Sequence, residues 1–183
     1  MKRGLVVLDA PVTAGELRSR VAALQRELRS QGVKAGLLYG DVYRSGDITY
    51  LCNLCLYWNE GVLLVPAHGD PALLTKLSAR VQPWMRATST LGQIRSGPDL
   101  AGLMAERMRD EAPEATGEAE MSWWGPLGLV EMTWWPAPLV DRVKELLPGL
   151  ELRDLGPLVR QARLRPSPAE LELLRVGGSI TGA

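Results

Sequence analysis

Thr13-Ala14-Gly15-Glu16-Leu17-Arg18 and, one helix length later, Gly32-Val33-Lys34-Ala35-Gly36-Leu37-Leu38-Tyr39 decide the fold class. Thr13 and Glu16 have the spacing of a capping box, in which the hydroxyl accepts the backbone N–H three residues on and the carboxylate accepts that of the cap. Leu17, Val21, Leu24 and Leu28 then recur on one helical face, with Arg18, Arg20, Arg26, Glu27 and Arg29 mostly elsewhere. Gly32 suits the left-handed position just past a helix end. Val33 to Tyr39 is a short apolar run closed by Gly40, the signature of a buried strand. A helix tightly joined to a strand begins an α/β layer.

Outward from that unit, Gly40 to Asp47 is polar and glycine-bearing and reads as a loop. Ile48 to Leu56 is rich in β-forming residues and predicts the next strand. Gly61 to Ala67 and Pro71 to Leu77 flank His68-Gly69-Asp70, which predicts an antiparallel hairpin. Arg80 to Met85 predicts a short helix and Gln93 to Arg95 a short strand. Ser96-Gly97-Pro98-Asp99 starts a helix in which Leu100, Leu103, Met104 and Met108 share a face. The acidic stretch from Glu111 to Glu118, broken by Pro113 and Gly117, is a surface connection, and Ala119 to Trp124 a strand. Pro136 to Leu147 is a helix stopped by Pro148-Gly149, and Leu150 to Leu155 a last strand. This order predicts an α/β fold, a mixed β-sheet flanked by helices.

The chain closes on Arg163-Leu164-Arg165-Pro166-Ser167-Pro168-Ala169-Glu170-Leu171. Ser167 and Glu170 form a second capping box, with Pro168 at the first helical position, where its missing N–H costs nothing. The helix it opens is short of partners, and Gly177-Gly178 should weaken it by about 1 kcal/mol per glycine relative to alanine. From about Gly177 onward the chain is expected to be frayed or held by a neighbouring chain.

At 183 residues the chain is one domain, or one domain and a lead-in to another. Its 21 basic and 21 acidic residues cancel, which leaves no basic footprint for nucleic acid and no polybasic membrane patch. No apolar run approaches the roughly 20 residues that span a bilayer. Two cysteines make no disulfide framework, so the default compartment is the cytoplasm.

Cys52-Asn53-Leu54-Cys55 has C-x-x-C spacing, but no second pair or set of histidines completes a zinc site. In a strand these two thiols point to opposite faces, so both read as structural rather than redox-active. His68, the one histidine, sits in a turn with no nucleophile beside it. No glycine-rich phosphate loop is present. The chain has six tryptophans and no phenylalanine. Trp123, Trp124, Trp134 and Trp135 either fill core volume or, where exposed, anchor a protein interface.

Four stretches resemble the N-terminal domain of the creatinase/prolidase family, the Xaa-Pro peptidases and their relatives. Arg18 to Gly32 with Ala35 to Tyr39 is similar to the family's opening helix and strand. Ile48-Thr49-Tyr50-Leu51-Cys52-Asn53 resembles its tyrosine-leucine-threonine-glycine segment, departing at Cys52 and Asn53. Gly61 to Leu74 resembles its apolar hairpin. Arg163 to Leu171 resembles its R-x-x-K-S-x-x-E-[IL] motif, with Pro166 where lysine is usual.

The resemblance implies a ribonuclease-H-like domain over residues 1–165, with residues 166–183 as linker and first helix of a "pita-bread" catalytic domain absent from this chain. That missing domain would bind two divalent metals and hydrolyse a C–N bond, most simply of an Xaa-Pro dipeptide. This chain would carry no catalytic residue, metal ligand or cofactor of its own. Its partners would be the catalytic domain and a second subunit in a homodimer. Tyr57, Trp58 and Leu54 would lie near the neighbouring subunit's substrate, and the paired tryptophans would serve the interface. The alternative is a stand-alone protein- or peptide-binding module of the same fold; a small redox protein ranks last.

Overall fold

The structure, a computed structural model, describes residues 12–111 and 125–182. Its centre is a six-stranded mixed sheet in the order β4-β3-β2-β1-β5-β6. The strands are β1 (Ala35–Gly40), β2 (Gly61–Pro66), β3 (Ala72–Thr75), β4 (Gln93–Ser96), β5 (Leu127–Val130) and β6 (Leu152–Asp154). β1 to β3 form an antiparallel meander, whereas β4, β5 and β6 each add in parallel to their neighbour.

All six residues of β2 are buried, because helices cover both sheet faces. Leu63 and Val65 of β2 and Leu38 of β1 point into one layer, with Leu28 of α1 (Ala14–Ser30), Ile48 of α2 (Gly46–Cys52), Met85 of α3 (Gln82–Thr88) and Val159 of α6 (Leu158–Arg163). Val62, Leu64 and Leu37 point into the other, with Met104 and Met108 of α4 (Leu100–Glu111) and Val140 and Val143 of α5 (Ala137–Leu146). The strand period of two splits consecutive residues between the layers. Gly36 permits a close approach of α1: a Cβ there would lie 3.0 Å from Leu28 Cδ2.

α1 forms where its sequence predicts, with only the Thr13 half of the capping box, since the Glu16 side chain pairs with Arg20 instead. Thr13 Oγ1 accepts the Glu16 N–H, the four apolar residues of its face are buried, and Gly32 takes the left-handed conformation at φ 67°. The hairpin is also as expected, with Gly61 opposite Thr75 and Leu64 opposite Ala72. His68 sits exposed at its turn.

The segment after β1 differs. Ile48 to Leu56 is not a strand: Gly46–Cys52 is α2, stopped by Asn53 in the left-handed conformation at φ 59°. Ile48, Leu51 and Cys52 bury one helical face, and tertiary burial overrides the β propensity of Ile48, Thr49 and Tyr50. Beyond Asn53, buried Leu54 and Leu56 alternate with exposed Cys55 and Tyr57 in a chain that pairs with no strand. That alternation imitates a strand.

The strand expected at Ala119 to Trp124 and most of the Glu111 to Glu118 connection fall outside the described residues. Within them β1 pairs with β2 on one side and with β5 on the other. α7 (Pro168–Thr181) has the expected capping box, Ser167 Oγ accepting from Glu170 N and Glu170 Oε2 accepting from Ser167 N. It also runs through Gly177-Gly178 to Thr181, beyond the point where fraying was expected. Among the described residues, no helix is long and apolar enough to cross a membrane.

Candidate functional site

The chain between α2 and β2 carries the residues expected near a substrate. Trp58 is 78% exposed, and Tyr57, half-exposed, stands edge-on to Trp84 with ring centroids 5.1 Å apart. Leu54 does not join them. It is fully buried in the core and presents no surface to a ligand.

A polar cluster holds the end of β1 to the start of β2. Tyr39 Oη donates to Glu60 Oε2 at 2.5 Å, and Lys76 Nζ donates to Glu60 Oε1 at 2.6 Å. Burial opposes ionisation of Glu60, but the bonds from Lys76 and Tyr39 and the lysine charge outweigh it and hold the carboxyl below its ordinary range. Burial, then the Glu60 carboxylate, push the Tyr39 phenol up. These shifts make the cluster a fixed charge arrangement rather than a proton shuttle near neutrality.

The tryptophans divide. Trp135 is buried, its ring 5.8 Å from Tyr39 and its indole N–H donating to Val130 O, so it fills core and offers nothing to an interface. Trp134 is half-exposed under the Arg44 guanidinium, 4.5 Å from the ring centroid. Trp123 and Trp124 lie outside the described residues.

The cysteines also separate, for a reason other than strand alternation. Cys52 closes α2 with its thiol donating to Ile48 O, and burial pushes that thiol up to about 12. Cys55 is exposed, 3.4 Å from Ser45 Oγ. Among the described residues, no three His, Cys, Asp or Glu side chains converge to hold a metal ion. The described residues therefore do not fit a two-metal centre.

Where the sheet domain meets α7, Arg20 gathers groups from three helices. Its guanidinium lies 4.1 Å from the Tyr50 ring centroid and donates to Tyr50 O at 2.9 Å. It also pairs with Glu16 and, at 3.1 Å, with Glu170 Oε2, the same oxygen that accepts the Ser167 N–H. The Ser167 hydroxyl, helped by Arg20 and opposed by burial, holds Glu16 below its ordinary range. An open groove of about 900 Å³ runs beside this joint between α1, α6 and the start of α7. Beyond it α7 buries no residue: Leu171, Leu173, Leu174, Val176 and Ile180 are all exposed.

Residues 20–165 match the profile of the Creatinase/Prolidase N-terminal domain. The chain belongs to that family, as the four stretches of sequence implied. Among solved structures, an Xaa-Pro aminopeptidase from Streptococcus pyogenes superposes with a TM-score of 0.61 at 17% identity, over 81% of this chain and 98% of that one. The N-terminal domain of the cytoplasmic peptidase PepQ from Mycobacterium tuberculosis does so at 0.54 and 19%, over 75% and 92%. An Xaa-Pro dipeptidase from Bacillus anthracis gives 0.63 at 16% over 85% of this chain, but only 38% of that longer chain. At such identities the likeness is one of fold. No curated protein sequence matches the chain.

Proposed function

We propose that this chain is the non-catalytic N-terminal domain of a creatinase/prolidase-type metallohydrolase, cytoplasmic and homodimeric, acting on an Xaa-Pro dipeptide or a related C–N bond. Residues 1–165 form the domain and 166–183 lead into a catalytic domain that holds the two metals. Its work is dimerisation and substrate gating, with Tyr57 and Trp58 closing over the neighbouring subunit's substrate. An amphipathic ring suits that position, sealing a pocket while its polar tip stays wet.

The observation that carries this reading is α7. A helix with a complete capping box and five exposed apolar residues has its start fixed and most of its surface uncovered. A helix with an apolar stripe this wide buries it against another element. The Bacillus anthracis dipeptidase, of which this chain spans 38%, has room for that core.

The test is the reading frame beyond Ala183. It should continue for about 200 residues, a typical domain length, and supply carboxylate and histidine metal ligands. A stop codon directly after Ala183 overturns the proposal in favour of the stand-alone binding module. In the complete protein, Tyr57→Ala and Trp58→Ala should raise KM for an Xaa-Pro dipeptide while dimerisation persists. Unchanged kinetics would remove both from the gate.

A further inference from the structure

A second region has the architecture of a ligand site, away from Tyr57 and Trp58. β1 and β5 are parallel neighbours, yet the helices that follow them depart to opposite sheet faces. α2 packs into the layer of Leu28 and Leu38, and α5 into the layer of Leu37 and Met104. Chains diverging in this way open a crevice beyond the carboxyl ends of the two strands, the place where open α/β sheets bind ligands. Here it encloses about 350 Å³, within the range of small-molecule sites.

Three guanidinium groups, those of Arg44, Arg160 and Arg163, converge on this crevice, with two carboxylates, Asp47 and Glu131. Arg163 Nη1 donates to Asp47 Oδ1 at 2.8 Å. Its guanidinium lies flat on Gly46, only 2.7 Å from where a Cβ would stand. Arg160 Nε lies 2.7 Å from Glu131 Oε1, but off the N–H direction, so the pair is held by charge rather than by an aligned hydrogen bond. Each carboxylate thus neutralises one arginine.

Arg44 is left over. It forms no ion pair among the described residues and rests on the Trp134 indole. On the same loop Asp41 Oδ1 accepts the Tyr43 and Arg44 backbone N–H groups, both at 2.8 Å, and Asp41 makes no ion pair with the Arg44 guanidinium. The opposite rim is held by Glu131, a non-glycine residue at φ 51°, a conformation that costs energy and recurs at functional sites.

We propose that this crevice binds a small organic oxyanion, a carboxylate or phosphate group carried on a flat apolar body. The anion pairs with Arg44, whose planar fork matches two oxygens at once. The body lies against the exposed part of Trp134 and the Tyr43 ring, which is 92% exposed at the mouth.

The test is NMR titration of the complete 15N-labelled chain with sodium benzoate, sodium acetate and inorganic phosphate at constant ionic strength. Benzoate should saturably shift the Trp134 indole N–H, assigned with Trp134→Phe, and the backbone amides of 43–47. Arg44→Gln should weaken benzoate about tenfold, and Trp134→Leu should weaken benzoate but not acetate. Saturation by phosphate, lost in Arg44→Gln and kept in Trp134→Leu, would support the oxyanion site and identify phosphate as its group. Shifts that stay linear to tens of millimolar for all three probes, or that Arg44→Gln leaves unchanged, overturn the proposal. Arg44 is exposed, so its substitution should not move the thermal midpoint. Should Arg44→Gln unfold the chain, Arg44→Lys takes its place: the charge remains and the fork is lost, so benzoate binding should fall, and unchanged affinity overturns the proposal.

Discussion

α1 and α7 begin alike and end in opposite circumstances. Each has a hydroxyl cap that accepts the N–H of a glutamate three residues on. α1 buries Leu17, Val21, Leu24 and Leu28 against the sheet, whereas α7 buries nothing. Helix starts are written locally, but burial is decided by what the rest of the chain supplies. The largest test of this contrast sets Leu28→Ala against Leu174→Ala. Leu28 is fully buried beneath Gly36, so its truncation should cost about 3 kcal/mol, or roughly 10 °C in thermal midpoint. Leu174 is 65% exposed, and its truncation should stay within about 0.5 kcal/mol. A comparable loss at both positions in this chain would mean that α7 is covered after all.

A finer version uses the caps. Thr13→Ala should lower global stability by about 1 kcal/mol, because α1 cannot loosen without uncovering the core. Ser167→Ala removes the matching bond from a helix that buries no residue and is otherwise tied to α1 through the Arg20–Glu170 pair. It should lower far-ultraviolet helicity while leaving the sheet's thermal transition within about 0.5 kcal/mol of its original stability. Chemical denaturation monitored at both signals separates the two outcomes. Coincident shifts for Ser167→Ala would show α7 to be part of the cooperative unit.

How much of this was legible in the sequence depended on how local each signal was. The hairpin was plain because its two apolar runs lie on either side of one glycine turn. α2 was misread because its helical face is only Ile48, Leu51 and Cys52, and the alternation of Leu54 and Leu56 follows directly. That pattern belongs to a loop wedged into the core, which only the finished fold reveals. Trp134 and Trp135 could not be separated by composition; their difference comes from a short 3₁₀ turn, Met132–Trp134, that leaves one ring in the crevice and the other on Tyr39. The Arg20 cluster was invisible for a plainer reason, since Tyr50 and Glu170 reach it only after folding.

That cluster also supplies the smallest and most specific test, because it is where the two helices meet. Glu16 lies on α1, but the largest influence holding it below its ordinary range is the hydroxyl of Ser167, the cap of α7, with Arg20 adding to it. A carboxyl depressed in the folded state contributes stability that is fully present above its unfolded value. That contribution is lost as pH falls through the lower folded value. Glu16→Gln should therefore cost no more than about 1 kcal/mol near pH 7, since the carboxylate lies at the surface and is screened. The deficit should shrink as pH drops below about 4.3, the ordinary glutamate range. In Ser167→Ala much of the pH-dependent part should disappear, because the main cause of the shift has gone. A deficit that is flat from pH 7 to pH 3 would instead mean that Glu16 acts through packing, and that α1 and α7 are not joined by charge.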